Sequence, residues 1–89
     1  MTTKRIRIEE VGDINFVYPY LEVFFNGDTT PFLEVGISDE KELVFKFYAS
    51  HNDVFLSVDE METILGEAKN FLPRALKNEE DYLNLFKKD

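Results

Sequence analysis

Cysteine is absent from the chain, which removes a disulfide framework, a thiolate metal site and a cysteine nucleophile together. Histidine occurs once, at His51, and the four glycines, Gly12, Gly27, Gly36 and Gly66, stand isolated, so no glycine-rich phosphate cradle is present. Long apolar runs are missing as well. No stretch reaches the roughly 18 apolar residues of a membrane span, and Met-Thr-Thr-Lys-Arg opens onto an alternating pattern instead of an apolar signal core. The expectation is a cytoplasmic protein with no membrane partner. Basic residues are scarce: ten Lys and Arg face eighteen Asp and Glu, for a net charge of −8.

That imbalance is localised. Residues 1–8 carry Lys4, Arg5 and Arg7 and no acid, whereas residues 9–67 carry fourteen acids against Lys41 and Lys46, a net −12. A body of that sign repels nucleic acid and attracts basic proteins, with association rates that fall as salt rises. Two readings of the charge stay open: a steering field for a basic partner, or acidity that serves solubility alone.

Eighty-nine residues make one domain, 1–89, which hides only roughly 60–65% of its unfolded surface. With no covalent staple, packing must stabilise it, and thirteen aromatics, nine of them Phe, supply the apolar area. The clearest element runs from Ser57 to Leu72. Met61, Ile64, Leu65, Ala68, Phe71 and Leu72 recur at three-and-four spacing, the stripe of an amphipathic helix. Ser57 and Glu60 have the Ser-x-x-Glu spacing of a capping box, which marks the start. Pro73 predicts a stop or kink near Phe71, and Asn78-Glu79-Glu80-Asp81 with Lys87 and Lys88 predicts a separate short helix docking through Tyr82, Leu83 and Phe86.

Ahead of that helix the pattern is one of strands. Lys4 to Glu9 alternates, and Glu10 to Asp13 reads as a turn. Pro19 interrupts the next run, leaving a strand from Tyr20 to Phe25. Asn26-Gly27-Asp28 is a hairpin signal, followed by strands at Phe32 to Ser38, Glu42 to Ala49 and a short one at Val54 to Ser57. The expected fold is α+β: an antiparallel meander of about four or five strands, one long C-terminal helix packed on one face, and a short terminal helix.

Period two then divides the strand residues. With Leu21, Val23, Phe25, Leu33, Val35, Ile37, Leu43, Phe45 and Phe47 turned to the helix, the outer face receives Tyr20, Glu22, Phe24, Phe32, Glu34, Gly36, Val44, Lys46 and Tyr48. Aromatics rimmed by carboxylates are unusual for a solvated face and point to a binding surface. Tyr20, Phe24, Phe32 and Tyr48 are the candidate anchors, Glu22, Glu34, Glu40 and Glu42 the candidate steering rim, and Lys46 lies among them. The competing expectation is that residues 1–18 or 78–89 cover this face, or that two copies pack sheet to sheet as a homodimer.

Candidate chemistry is thin. His51, in the turn-like Ser50-His51-Asn52-Asp53, reads as a solvated loop residue, and Ser57 has a capping role in place of a nucleophilic one. The acidic groups Asp39-Glu40-Glu42, Asp59-Glu60-Glu62 and Glu79-Glu80-Asp81 lack the alternating, glycine-containing spacing of a calcium loop. No catalytic residue, metal or cofactor is expected.

Tyr20-Leu21-Glu22-Val23-Phe24-Phe25, Pro31-Phe32-Leu33-Glu34-Val35 and Val54-Phe55-Leu56-Ser57-Val58-Asp59-Glu60 feeding a helix resemble, over about residues 20–72, the small acidic immunity proteins of bacterial contact-dependent growth inhibition systems. The likeness is one of pattern, and no functional residue carries over. It implies a cytosolic protein that neutralises one cognate toxin domain, commonly a nuclease with a basic groove, by occluding its active site. The alternative is a structural or regulatory domain that homo-oligomerises, or joins a larger assembly, through the outer sheet face.

Overall fold

The computed structural model describes residues 5–12, 17–49 and 53–85, excluding the side chains of 78 and 80–85. Strands β1 (Ile6–Val11), β2 (Tyr20–Phe25), β3 (Leu33–Ile37) and β4 (Leu43–Phe47) form an antiparallel sheet in the order β1-β2-β3-β4, and α1 (Val58–Leu85) follows. This is the expected α+β meander. Val54 to Ser57 forms no strand among the described residues; Val54 and Leu56 pack against the core instead.

Tight turns lie on both sides of β3. Asp28 N–H donates to the Phe25 carbonyl at 3.0 Å, and Gly27 adopts φ +93°, the left-handed region that the Asn-Gly pair predicts. Between β3 and β4, Lys41 N–H donates to the Ser38 carbonyl and Ser38 N–H to the Glu42 carbonyl, with Lys41 itself at φ +66°. That is a tight turn closed by a left-handed residue, a position usually given to glycine.

The helix starts at the predicted cap. Glu60 N–H donates to Ser57 Oγ at 3.1 Å while Ser57 N–H donates to Glu60 Oε1 at 2.8 Å, so each side chain satisfies a donor of the other residue. Contrary to expectation, α1 does not end at Pro73, and among the described residues there is no separate short helix: one helix of 28 residues runs through. Pro73 removes the amide that would bond the Lys69 carbonyl, but both residues are exposed, where water can serve that carbonyl. Phe71 and Ala75, buried on either side, hold the next turn against the sheet. At 1.5 Å per residue α1 is about 42 Å long, roughly twice the span of a six-residue strand. Its far end overhangs the sheet.

Ion pairs between α1 and the β1 segment align the two. Arg5 Nε donates to Glu60 Oε2 at 2.6 Å near the start of β1, and Arg74 pairs with Glu10 near its end. The helix therefore runs alongside β1. Ile64, Ala68, Phe71 and Ala75 face Ile6, Ile8, Leu21, Val23, Leu33 and Val35 in the core. Leu65 was expected inward; it is 37% exposed. At 100° per residue, Glu60 and Arg74 place the β1 side of the helix, so Met61, Leu65, Leu72 and Leu76 turn to the β3–β4 side. Because the helix is set over β1, it leaves the inner face of β4 partly open, with Phe47 54% exposed.

Phe32 also departs from expectation. It precedes β3, its N–H donates to the Val23 carbonyl at 2.9 Å while Leu33 is already opposite Val23, and both Phe32 and Leu33 are fully buried. Two consecutive residues against one is a bulge, which breaks period two and sends Phe32 inward. Its ring stacks on Phe25, centroids 4.2 Å apart.

Candidate partner-binding face

Register aligns the outer residues in rows across the strands. Glu9 is opposite Glu22, Glu22 opposite Glu34, and Glu34 opposite Lys46, so three carboxylates and one ammonium cross all four strands on the face away from α1. Opposed like charges raise one another's proton affinity. The Glu22 carboxyl is pushed above its ordinary range, first by burial and then by the charges of Glu34 and Glu9. Among the described residues it has no hydrogen-bond or ion-pair partner.

Its neighbours are engaged. Arg7 pairs with Glu9, donates to the Asp28 carbonyl at 3.2 Å and lies over the Phe24 ring, 4.3 Å from its centroid. Tyr48 donates its hydroxyl to Glu34 Oε1 at 2.7 Å. Burial, that bond and the charges of Glu34 and Glu22 push the Tyr48 phenol up to about 12. Lys46 reaches over the Tyr48 ring at 5.2 Å.

The expected surface is therefore mostly assembled, with two corrections. Tyr20, Glu22, Glu34, Lys46 and Tyr48 share the outer face, while Glu40 and Glu42 are exposed in the β3–β4 turn at its rim. Phe32 is in the core and is no anchor. Phe24 is on the outer side but only 6% exposed, under Arg7. No family model, curated protein or solved structure matches this chain.

Glu9 and Arg7 were not among the candidates, though Ile6 and Ile8 on the inner face already send them outward. Residues 6–11 do not fold over the outer face; they lie within the sheet as β1, and 78–85 prolong α1. A cleft of about 620 Å³ adjoins the face, with Tyr20, Glu34 and Gly36 on one side and Tyr18 and Glu79 on the other. The Tyr18 phenol is raised by its hydrogen bond to the Glu79 carboxylate. His51 and Phe86 lie outside the described residues, as do the side chains of Tyr82 and Leu83. Among the described residues no three His, Asp or Glu side chains gather to hold a metal. No described helix is long and apolar enough to cross a membrane.

Proposed function

We propose that this chain is a binding protein that takes a basic protein partner on its outer sheet face, in the manner of an immunity protein that occludes the active site of a cognate nuclease toxin. The observation that carries the reading is Glu22: a partly buried carboxylate, flanked by Glu9 and Glu34, with no cation of its own among the described residues. A Lys or Arg of a partner would relieve that repulsion on docking, so the row favours the complex over the free protein. Tyr20 and Tyr48 flank it as aromatic contact area, and the net −12 of residues 9–67 speeds encounter. A nuclease groove presents the matching charge because it must hold phosphates. The protein acts in the cytoplasm on this reading and performs no reaction of its own. Ser57, the hydroxyl nearest to a catalytic candidate, accepts the Glu60 amide proton.

Sheet-to-sheet homodimerisation has less to support it. Stacking two outer faces would set one carboxylate row against another.

The test uses purified nuclease domains, including any encoded in the neighbouring reading frame. The wild-type protein is expected to bind one and block its cleavage of a nucleic acid substrate, associating more slowly as salt rises. Glu22→Lys with Glu34→Lys, shown by circular dichroism to stay folded, should slow association at least tenfold. Inhibition by that variant at the wild-type rate, or no inhibition of any such domain, would overturn the proposal.

A further inference from the structure

Strand β4 is the last in the sheet, and among the described residues no strand lies on its free side. Its backbone groups sort by parity. Tyr48 N–H donates to the Phe32 carbonyl and Ser38 N–H to the Glu42 carbonyl, so the even-numbered residues of this hairpin bond to β3. The N–H and C=O of Leu43, Phe45 and Phe47 therefore point to the open edge. Exposed edges are blunted by short length, lysine, proline, a bulge or an inward charge. β4, Leu-Val-Phe-Lys-Phe, has no proline, bulge or inward charge: its inner face is Leu43, Phe45 and Phe47, and its one charge, Lys46, is on the outer face. That inner face is partly exposed because the helix is set over β1.

We infer that the β4 edge is the dimer interface of this protein, pairing antiparallel with β4 of a second copy about a two-fold axis at Phe45, so that two sheets join into one of eight strands. The strand is complementary to itself in this register. Phe45 meets Phe45, Leu43 meets Phe47, and Val44 meets Lys46, so every inner pair is apolar and no like charges are opposed. Lys46 falls diagonal to Glu42 of the second copy, within reach of a long side chain, and the symmetry makes that contact twice. A two-fold axis normal to the sheet keeps both helices on one side. The inner side chains of the two strands, Phe45 on Phe45 and Phe47 on Leu43, then lie side by side and cover one another's partly exposed apolar surface. The outer face stays free, and its carboxylate rows are carried at two ends of one sheet.

Sedimentation equilibrium from about 1 μM to about 1 mM, the range of micromolar to millimolar dissociation constants, tests this. The wild-type mass is expected to rise from 10.4 kDa to twice that value. Phe47→Pro removes an edge donor without touching a β3 bond, and should weaken dimerisation at least tenfold while circular dichroism stays native. Should Phe47→Pro fail to fold, Phe47→Lys puts a charge in the same half-exposed place and must give the same loss. Glu42→Lys and Lys46→Glu should each weaken the dimer, and the double swap should restore it. Glu22→Lys with Glu34→Lys should dimerise at least as well as the wild type. A wild-type protein that stays monomeric throughout, a folded Phe47 variant that dimerises as before, or loss of the dimer in the Glu22 and Glu34 variant would overturn the inference.

Discussion

Arg5 donates its Nε–H to Glu60 Oε2 at 2.6 Å across fifty-five residues of chain, and the other oxygen of that carboxylate accepts the Ser57 amide. One side chain thus closes the helix cap and ties the helix to the first strand. Arg5 also donates to the Phe55 carbonyl at 2.7 Å, which holds the segment leading into the cap. Ser57→Ala should lower stability by about 1 kcal/mol, the usual cost of a lost N-cap, in a denaturant titration at neutral pH.

The same site has a defined pH response. The Glu60 carboxyl is held below its ordinary range, first by the Ser57 backbone amide and then by Arg5. A lowered carboxyl stabilises the fold above its unfolded pKa, and the effect is lost as pH falls through the folded value. Glu22 has the opposite sign, because its raised carboxyl favours the folded state when protonated. Glu60→Gln should therefore be less stable than wild type at pH 7 and converge on it in acid. Glu22→Gln should be more stable at pH 7, with the gain disappearing as pH falls below the carboxylate range. Unfolding midpoints measured from pH 7 to pH 3 check both.

Ile64 and Leu65 are adjacent in sequence and unequal in the fold. Ile64 is buried among core residues, so Ile64→Ala should cost roughly 2–5 kcal/mol. Leu65 is 37% exposed, and Leu65→Ala should cost under about 1 kcal/mol in the monomer. Chemical denaturation at low protein concentration separates the two, and equal costs would mean that the helix is rotated from the orientation described.

Pro73 sits in mid-helix with an exposed ring. Restoring the amide with Pro73→Ala should raise stability by about 2 kcal/mol, the helix gain of about 3 kcal/mol less the entropy of up to about 1 kcal/mol that proline removes from the unfolded chain. Thermal unfolding followed at 222 nm would show it. A fall in stability would mean that the proline shapes the helix to the sheet.

Lys41 holds φ +66° in the β3–β4 turn, a conformation costly for a residue with a Cβ. Lys41→Gly should stabilise by about 1 kcal/mol. Gly27→Ala, at φ +93°, should destabilise by a similar amount for the same reason. Both are read in a denaturant titration.

Local chemistry was enough to determine the meander, the Tyr20–Phe25 strand and the Ser57 cap, because alternation, turn residues and capping act over a few neighbouring positions. Alternation also told inner from outer at Glu22, Glu34, Lys46 and Tyr48. It failed at Phe32, where a bulge adds a residue, a feature set by how β3 meets Val23 and invisible in the pattern of one strand. Pro73 marked a helix end by propensity, and the burial of Phe71 and Ala75 on either side overrode it. Where the helix lies was a tertiary decision as well. The stripe from Met61 to Leu72 does not specify which strand it covers; Ile64, Ala68, Phe71 and Ala75 are buried in one core with Ile6 and Ile8, and Arg5 meets Glu60 and Arg74 meets Glu10 along β1. That lateral placement, made by contacts far apart in sequence, is what exposes Leu65 and Phe47 and leaves the inner face of β4 partly open.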